Sequence, residues 1–445
     1  GHDMHDATEA RRAAFDQYLQ EEVWAKVPSE LKATLRQLSL QPSITRSGVE
    51  MEFGRSAWRA IAAWMESREF LCEQLSPVEF RLNPLLRQFI ASEFDELDPE
   101  GYAEALQLVV DDLVASGDIP EAIEFARSGG TEQQLAALLE EHSPRLIIQG
   151  CNTLLQRAFD CIGEPTIRRR PLLRGMSARL DSHVGDPDDA TRKASVLLRD
   201  ARVGATAHGH ALMAKIRGAR LMGRYEEARK AALQLAELSP ELEPDLQTEA
   251  NYSLAEFELS VERDFVSAED RLRAVITDCE RRHLEPLGLL ARSTLGQALA
   301  MRGNAPEAVT VLTRAARGWR SLGGSSNLGW VLNNLGMAHV QSGDFTSAAT
   351  VLQEAVEEGR NCANQRNVAY ATASLGDAEL ALGHFERARV HYEEAIRICA
   401  TDALDESLAA LSIAGLSGAL LGAGDISQAD FFSRRALLVA VSSAN

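Results

Sequence analysis

The chain has 445 residues, with 46 Lys and Arg against 65 Asp and Glu and a net charge of −19. That length exceeds one compact core, and the acidic balance excludes a duplex-DNA surface, which needs clustered basic side chains to neutralise phosphates. Hydrophobic residues at 45% and charged residues at 25% are ordinary for a globular protein, and no apolar run reaches the ~18 residues of a membrane helix.

The opening Gly1-His2-Asp3-Met4 reads as the scar of a purification tag, so a longer natural chain is expected at both ends. No basic-then-apolar leader follows. The first 130 residues show no repeat. Their informative segments are Glu21-Glu22-Val23, then Val27-Pro28 with Leu31, then Leu35 with Leu38-Ser39-Leu40. Arg68-Glu69-Phe70-Leu71 follows, and then Phe80-Arg81-Leu82-Asn83-Pro84-Leu85-Leu86-Arg87-Gln88-Phe89-Ile90. Within 98–165 stands Gly117-Asp118-Ile119-Pro120-Glu121-Ala122-Ile123-Glu124-Phe125-Ala126. The basic run Arg168-Arg169-Arg170 precedes Pro171; a solvated turn is its expected role.

From 166 to 445 one period governs the chain. Leu295-Gly296, Leu335-Gly336 and Leu375-Gly376 recur every 40 residues, as do Ala308, Ala348 and Ala388, and Ala315, Ala355 and Ala395. Gly303, Gly343 and Gly383 punctuate each unit. The pattern predicts a helix, a glycine turn and a second helix, repeated. One such hairpin cannot bury its apolar face, so neighbours must stack into a solenoid with a concave surface. Turns of the same form occur at Gly223–Ala228 and Gly424–Ala429; Arg263–Ala268 keeps the spacing without the glycine, and Gly185–Ala190 is expected to open the array. Glycine can take the left-handed conformation that ends the first helix. The Asp or Asn after it can cap the next one. Pro187 and Pro306 fall in first turns, where a missing donor does little harm.

These registers resemble the tetratricopeptide repeat, whose Leu-Gly, Ala and Ala sites they match. The usual repeat is ~34 residues; the 40 here imply longer helices or longer connections such as 321–326. The segments of 1–97 resemble the winged-helix part that follows the ATPase core in MalT-like, LuxR-family signal-transduction ATPases, with Arg68–Leu71 as a short strand leading into the wing. Gly117–Ala126 resembles that family's hairpin joining winged helix to repeats. The resemblance implies a predominantly all-α chain: winged-helix-like residues 1–97, linking helical hairpins 98–165, and a repeat superhelix 166–445. It also implies an ATP-binding core before residue 1. Asn83 stands where the family usually has a nucleotide-sensing His; Asn can donate to phosphate but has no ionisable ring.

Chemistry is sparse. No G-x-x-x-x-G-K-[ST] loop is present, no nucleophile–base constellation stands out, and no metal or cofactor site is expected in the chain, which is therefore not read as an enzyme. His208 and His210 are two apart and would splay on a helix, so surface or capping roles are expected. Asp186, Asp188 and Asp189 read as helix-start acids. None of the six cysteines forms a C-x-x-C pair; they are expected to be small buried hydrophobes in a reducing cytoplasm.

In tetratricopeptide arrays the first helix of each pair lines the concave face. The matching positions that are polar, aromatic or flexible give a candidate effector groove of Ser293, Gln297, Trp330, Asn333, Met337, Gln341, Tyr370 and Asp377. Aromatic rings beside amides and a carboxylate suit a sugar, an amino acid or a peptide. The resemblance implies the sensor portion of a transcriptional regulator. Its array receives a small-molecule inducer or a regulatory protein and works with other domains of the same regulator. A stand-alone repeat adaptor for a peptide or protein is the alternative.

Overall fold

The computed structural model describes residues 15, 17–68, 70–323, 326–401 and 406–442; the expected tag scar 1–4 and Glu69 lie outside them. The chain divides into two compact units, residues 1–139 with 160–162, and residues 140–159 with 163–445.

In the first unit, a π-turn (Leu19–Val23) and a 3-10 turn (Trp24–Lys26) deliver Leu19, Val23 and Trp24 to the core. Helix α1 (Ser29–Leu38) buries Leu31, Leu35 and Leu38, one stripe at helical spacing. Then come β1 (Ile44–Thr45), α2 (Arg46–Glu52), α3 (Arg55–Glu66), β2 (Cys72–Ser76) and β3 (Glu79–Leu82). The three strands form an antiparallel sheet in the order β1-β3-β2, with Ile44 opposite Phe80 and Cys72 opposite Leu82. Alternation along β3 turns Phe80 and Leu82 inward and Arg81 outward.

Among the described residues, the strand expected at 68–71 does not form. The amides of Leu71 and Cys72 both donate to the carbonyl of Arg68, at 2.9 and 3.0 Å. This turn leaves Phe70 96% exposed, and pairing with β3 begins only at Cys72. Helix α4 (Pro84–Leu97) starts on Asn83, whose Oδ1 accepts from the Leu85 amide at 2.9 Å. Helices α5 (Pro99–Ser116) and α6 (Ile119–Gly129) are capped by Asp98 and Asp118, with Gly117 left-handed between them. Helices α7 (Glu132–Gln149), α8 (Asn152–Asp160) and α9 (Glu164–Arg169) follow.

Among the described residues, the second unit is a tetratricopeptide-type superhelix of seven hairpins. They are α10 (Pro171–Val184) with α11 (Pro187–Leu198), α12 (Ala205–Leu221) with α13 (Tyr225–Leu238), and α14 (Pro244–Phe257) with α15 (Phe265–Arg282). Next are α16 (Glu285–Met301) with α17 (Ala305–Ser321), and α18 (Ser326–Gln341) with α19 (Phe345–Asn361). Last come α20 (Gln365–Ala381) with α21 (Phe385–Thr401), and α22 (Glu406–Gly422) with α23 (Ile426–Ser442). The extra length of the repeat lies in helices of 16 or 17 residues from α16 onward, and the connections stay short.

Each register has a packing reason. A Cβ on Gly336 would stand 2.3 Å from Leu352 Cγ, and one on Gly296 would meet Leu312 Cγ at the same distance. The Leu-Gly site is therefore where a leucine of the second helix presses on the backbone of the first. Tyr392 plays that part for Gly376. The alanines of both registers are fully buried. Gly223, Gly303, Gly343, Gly383 and Gly424 are all left-handed, and Asp264, Asp344 and Asp425 cap the helices that follow.

Several expectations need correction. Gly185 has φ −101°, so the first turn closes without a left-handed residue. Arg168 and Arg169 belong to the last turn of α9, where Arg168 pairs with Glu164, and Arg170 pairs with Glu140 at 2.7 Å. Cys161 and Cys362 are exposed, whereas Cys72, Cys279 and Cys399 are buried. Burial pushes the Cys72 and Cys279 thiols up to about 12. Asp186 caps α11 through the Asp188 amide at 2.8 Å, as helix-start acids do. No helix among the described residues is long and apolar enough to cross a membrane.

Candidate functional site

First helices of successive hairpins pack side by side, α12 on α14, α16 on α18, α18 on α20 and α20 on α22, and so form an inner layer. They are buried on most sides, as in α16, where ten of the residues from Leu287 to Leu299 are buried. Second helices bury one stripe, as in α17 with Ala308, Leu312, Ala315 and Trp319.

The sequence-chosen residues are dispersed along this layer. Trp330 and Tyr370 meet across neighbouring hairpins, ring centroids 5.3 Å apart at 57°, and the Arg366 guanidinium stands 6.0 Å from the Tyr370 ring. Asn333 is buried and, among the described residues, its Oδ1 has no partner. Such a group costs free energy unless something satisfies it. Ser293 is buried with its hydroxyl donating to its own helix at Leu289 O, 2.7 Å. Asp377 accepts from the Tyr392 hydroxyl at 2.6 Å. Burial pushes its carboxyl up, and that hydrogen bond opposes the shift. Ser293 and Asp377 are thus engaged within the fold. Met337 is half-buried; Gln297 and Gln341 are exposed.

A second polar cluster lies in the earlier hairpins. Arg179 is buried, donates to His210 Nδ1 at 3.0 Å and pairs with buried Glu249. Because Arg can only donate, His210 accepts at Nδ1 and carries its proton on Nε2. Burial, and next to it the Arg179 charge, hold the His210 pKa well below the ordinary value. His183 is lowered likewise, by burial and then by Arg217, Arg179 and Arg220. Arg217 donates to Ser182 O at 3.1 Å and stands 4.0 Å from Glu256. Around this cluster is a cavity of about 50 Å³, lined also by Ile147, Ile148, Tyr252 and Leu290. Asn327 Nδ2 holds the Ile148 carbonyl at 2.9 Å. An adjoining cavity of about 120 Å³ is lined by Arg220, Glu256, Arg263, Thr294 and Gln297 among others. Of the sequence-chosen groove residues, Gln297 lines this one.

The surface or capping role expected for His210 is incorrect: its register turns it inward, onto Arg179. That signal was present in the sequence. Counting back 80 residues from Leu290, Gln297 and Ala300 gives His210, Arg217 and Arg220. Among the described residues no group of three or more His, Cys, Asp or Glu could hold a metal ion.

Two tetratricopeptide-repeat family models match, over residues 289–357 and 333–403. A search of curated proteins finds no match. Among solved structures the chain is similar to a signal-transduction ATPase with numerous domains (STAND) that has a tetratricopeptide repeat sensor, from Pyrococcus horikoshii. The TM-score is 0.58 at 16% identity, covering 95% of this chain and 64% of that one. The present chain thus spans less than two thirds of that relative. It is also similar to a Rap protein complexed with Competence and Sporulation Factor (TM-score 0.49, 12% identity, 61% of this chain and 77% of that). A third is the quorum sensor NprR from B. thuringiensis (TM-score 0.46, 10% identity, 62% and 77%).

Proposed function

We propose that this chain is the sensor portion of a MalT-like signal-transduction ATPase, in which the inner layer of the array receives an effector. The effector's differential affinity for two domain arrangements would then set the activity of the regulator. The observation that carries the reading is that one fold likeness, to the STAND protein, extends over 95% of the chain and so includes both units. The helix–strand–helix–helix–strand–strand order of α1 to β3 with its β1-β3-β2 sheet supports a winged-helix role for the first unit. ATP would belong to a core domain outside this sequence. Asn83 would offer its Nδ2 to a phosphate, since its Oδ1 is engaged by the Leu85 amide. A small molecule or peptide would lie on the Trp330–Tyr370 pair and satisfy Asn333 Oδ1.

The test is a thermal-shift screen of sugars, amino acids and peptides, since a ligand that binds only the folded state raises the midpoint by mass action. A hit whose shift disappears in Trp330→Ala and Asn333→Ala supports the reading. A screen in which no hit depends on either residue removes this groove as the site. The second reading, an adaptor for a peptide or protein, draws on the family matches at 289–403, which lie wholly within the array. Co-purification of a defined protein partner, with no response of the chain to any small molecule, would favour it.

A further inference from the structure

Departures from the repeat converge on one place. Five of the hairpin turns use a left-handed glycine, but the third uses Arg263, at φ +55°. The helix before it ends as a π-turn, Glu258–Glu262, where its neighbours stay regular. A left-handed side-chain-bearing residue is strained, and strain and π-turns of this kind cluster at functional sites. Both features border the cavity of about 120 Å³ between α12, α14 and α16, which Arg220, Glu256 and Gln297 also line.

The charges around this cavity are poorly matched to each other. Elsewhere in the array, arginine and glutamate on neighbouring hairpins close into direct pairs: Arg229 with Glu262 at 2.8 Å, Arg273 with Glu307 at 2.7 Å, Arg320 with Glu354 at 2.7 Å. Here they stand apart. Among the described residues, the guanidinium groups of Arg220 and Arg263 form no hydrogen bond or ion pair, and the Glu256 carboxylate has only Arg217 at 4.0 Å. Opposite charges that line one cavity without touching leave room for a molecule between them. The cavity also sits at the C-terminal ends of its helices, whose carbonyls favour a cationic group, so a plain anion fits poorly. It is smaller than the ~300 Å³ and upward of a drug-sized site.

We propose that this cavity binds a free α-amino acid as the zwitterion. The guanidinium groups of Arg220 and Arg263 would take its carboxylate by charge-assisted, two-pronged hydrogen bonds. Glu256 and the carbonyl ends of the helices would take its ammonium group, with the Gln297 amide beside them. The cavity adjoins the groove through Gln297, but the assignment stands on these charges and not on the sensor reading.

The experiment is calorimetric titration of the full chain with the protein amino acids at millimolar concentration, each beside its N-acetyl and its α-amide derivative. The expected result is binding of at least one free amino acid and a loss of about tenfold or more for both derivatives. Arg220→Gln and Glu256→Gln should each weaken binding by a similar factor. If Arg220→Gln fails to fold, Arg220→Lys keeps the charge without the fork and should still bind more weakly. Arg263→Gly should raise the melting temperature of the free chain, because glycine relieves the left-handed strain, while weakening the amino acid. Loss of this binding in Trp330→Ala would place it in the Trp330–Tyr370 groove instead and overturn the assignment. Silence with every amino acid would overturn the proposal. So would equal binding of an N-acetyl derivative, which would mark a simple anion site.

Discussion

Glu249→Gln should be among the most damaging single changes in the array. It keeps the shape of the side chain and removes only the charge. Arg179 would then be left 5% exposed with neutral His210 as its remaining side-chain partner and no counter-charge. Breaking a buried pair from one side costs about 3–5 kcal/mol, because the surviving ion stays desolvated. Arg179→Met with Glu249→Leu removes both ions, and its expected cost is near zero. The coupling between the two sites should therefore be about 3 kcal/mol or more in a double-mutant cycle. Urea unfolding gives the totals. Because arrays can unravel unit by unit, hydrogen exchange over α10 and α14 should show that the loss is local to those helices. A cost for Glu249→Gln below about 1 kcal/mol would mean that the pair is solvated and the argument wrong. A double variant as unstable as the single one would mean that charge is not the cause.

Three further outcomes follow from the same structure. Gly336→Ala places a Cβ 2.3 Å from Leu352 Cγ, and Ala348→Leu overfills a site with no exposed surface; each should cost about 1–3 kcal/mol, read by urea midpoint. Because the His210 pKa is lowered in the folded chain, its stabilising share is complete above the ordinary value of 6.5. That share is lost as pH falls from there toward the folded value, by about 1.4 kcal/mol per pH unit. His210→Gln should flatten this slope in midpoints measured between neutral and mildly acidic pH. Asp264→Ala removes the cap on the Ser267 amide (3.1 Å) and should cost about 1 kcal/mol, with faster exchange confined to the first turn of α15.

Much of the fold was legible because stacking imposes a period. Gly336 meets Leu352 as Gly296, one unit earlier, meets Leu312, so small size at a fixed spacing is a direct imprint of helix–helix contact. The turns were legible for a local reason, since a left-handed residue and a capping carboxylate act within four residues. The strand expected at 68–71 was misplaced because a turn closed on the Arg68 carbonyl competes with sheet pairing, and the amides chose the nearer acceptor.

The site was legible only in outline. The resemblance to tetratricopeptide arrays told which helices form the inner layer, and the period put Trp330 and Tyr370 on them. It could not tell that Ser293 and Asp377 are engaged within the fold, since hydroxyl and carboxyl partners are set by distances of an ångström, not by spacing. Nor could it show that Arg179, from the first hairpin, meets Glu249, from the third. By itself the sequence determined the repeat, its turns and its inward-facing rows, because those depend on contacts that recur at fixed separation. Only the tertiary structure decided which charges are paired and which stand apart around Glu256, because burial and pairing depend on where non-repeating side chains converge.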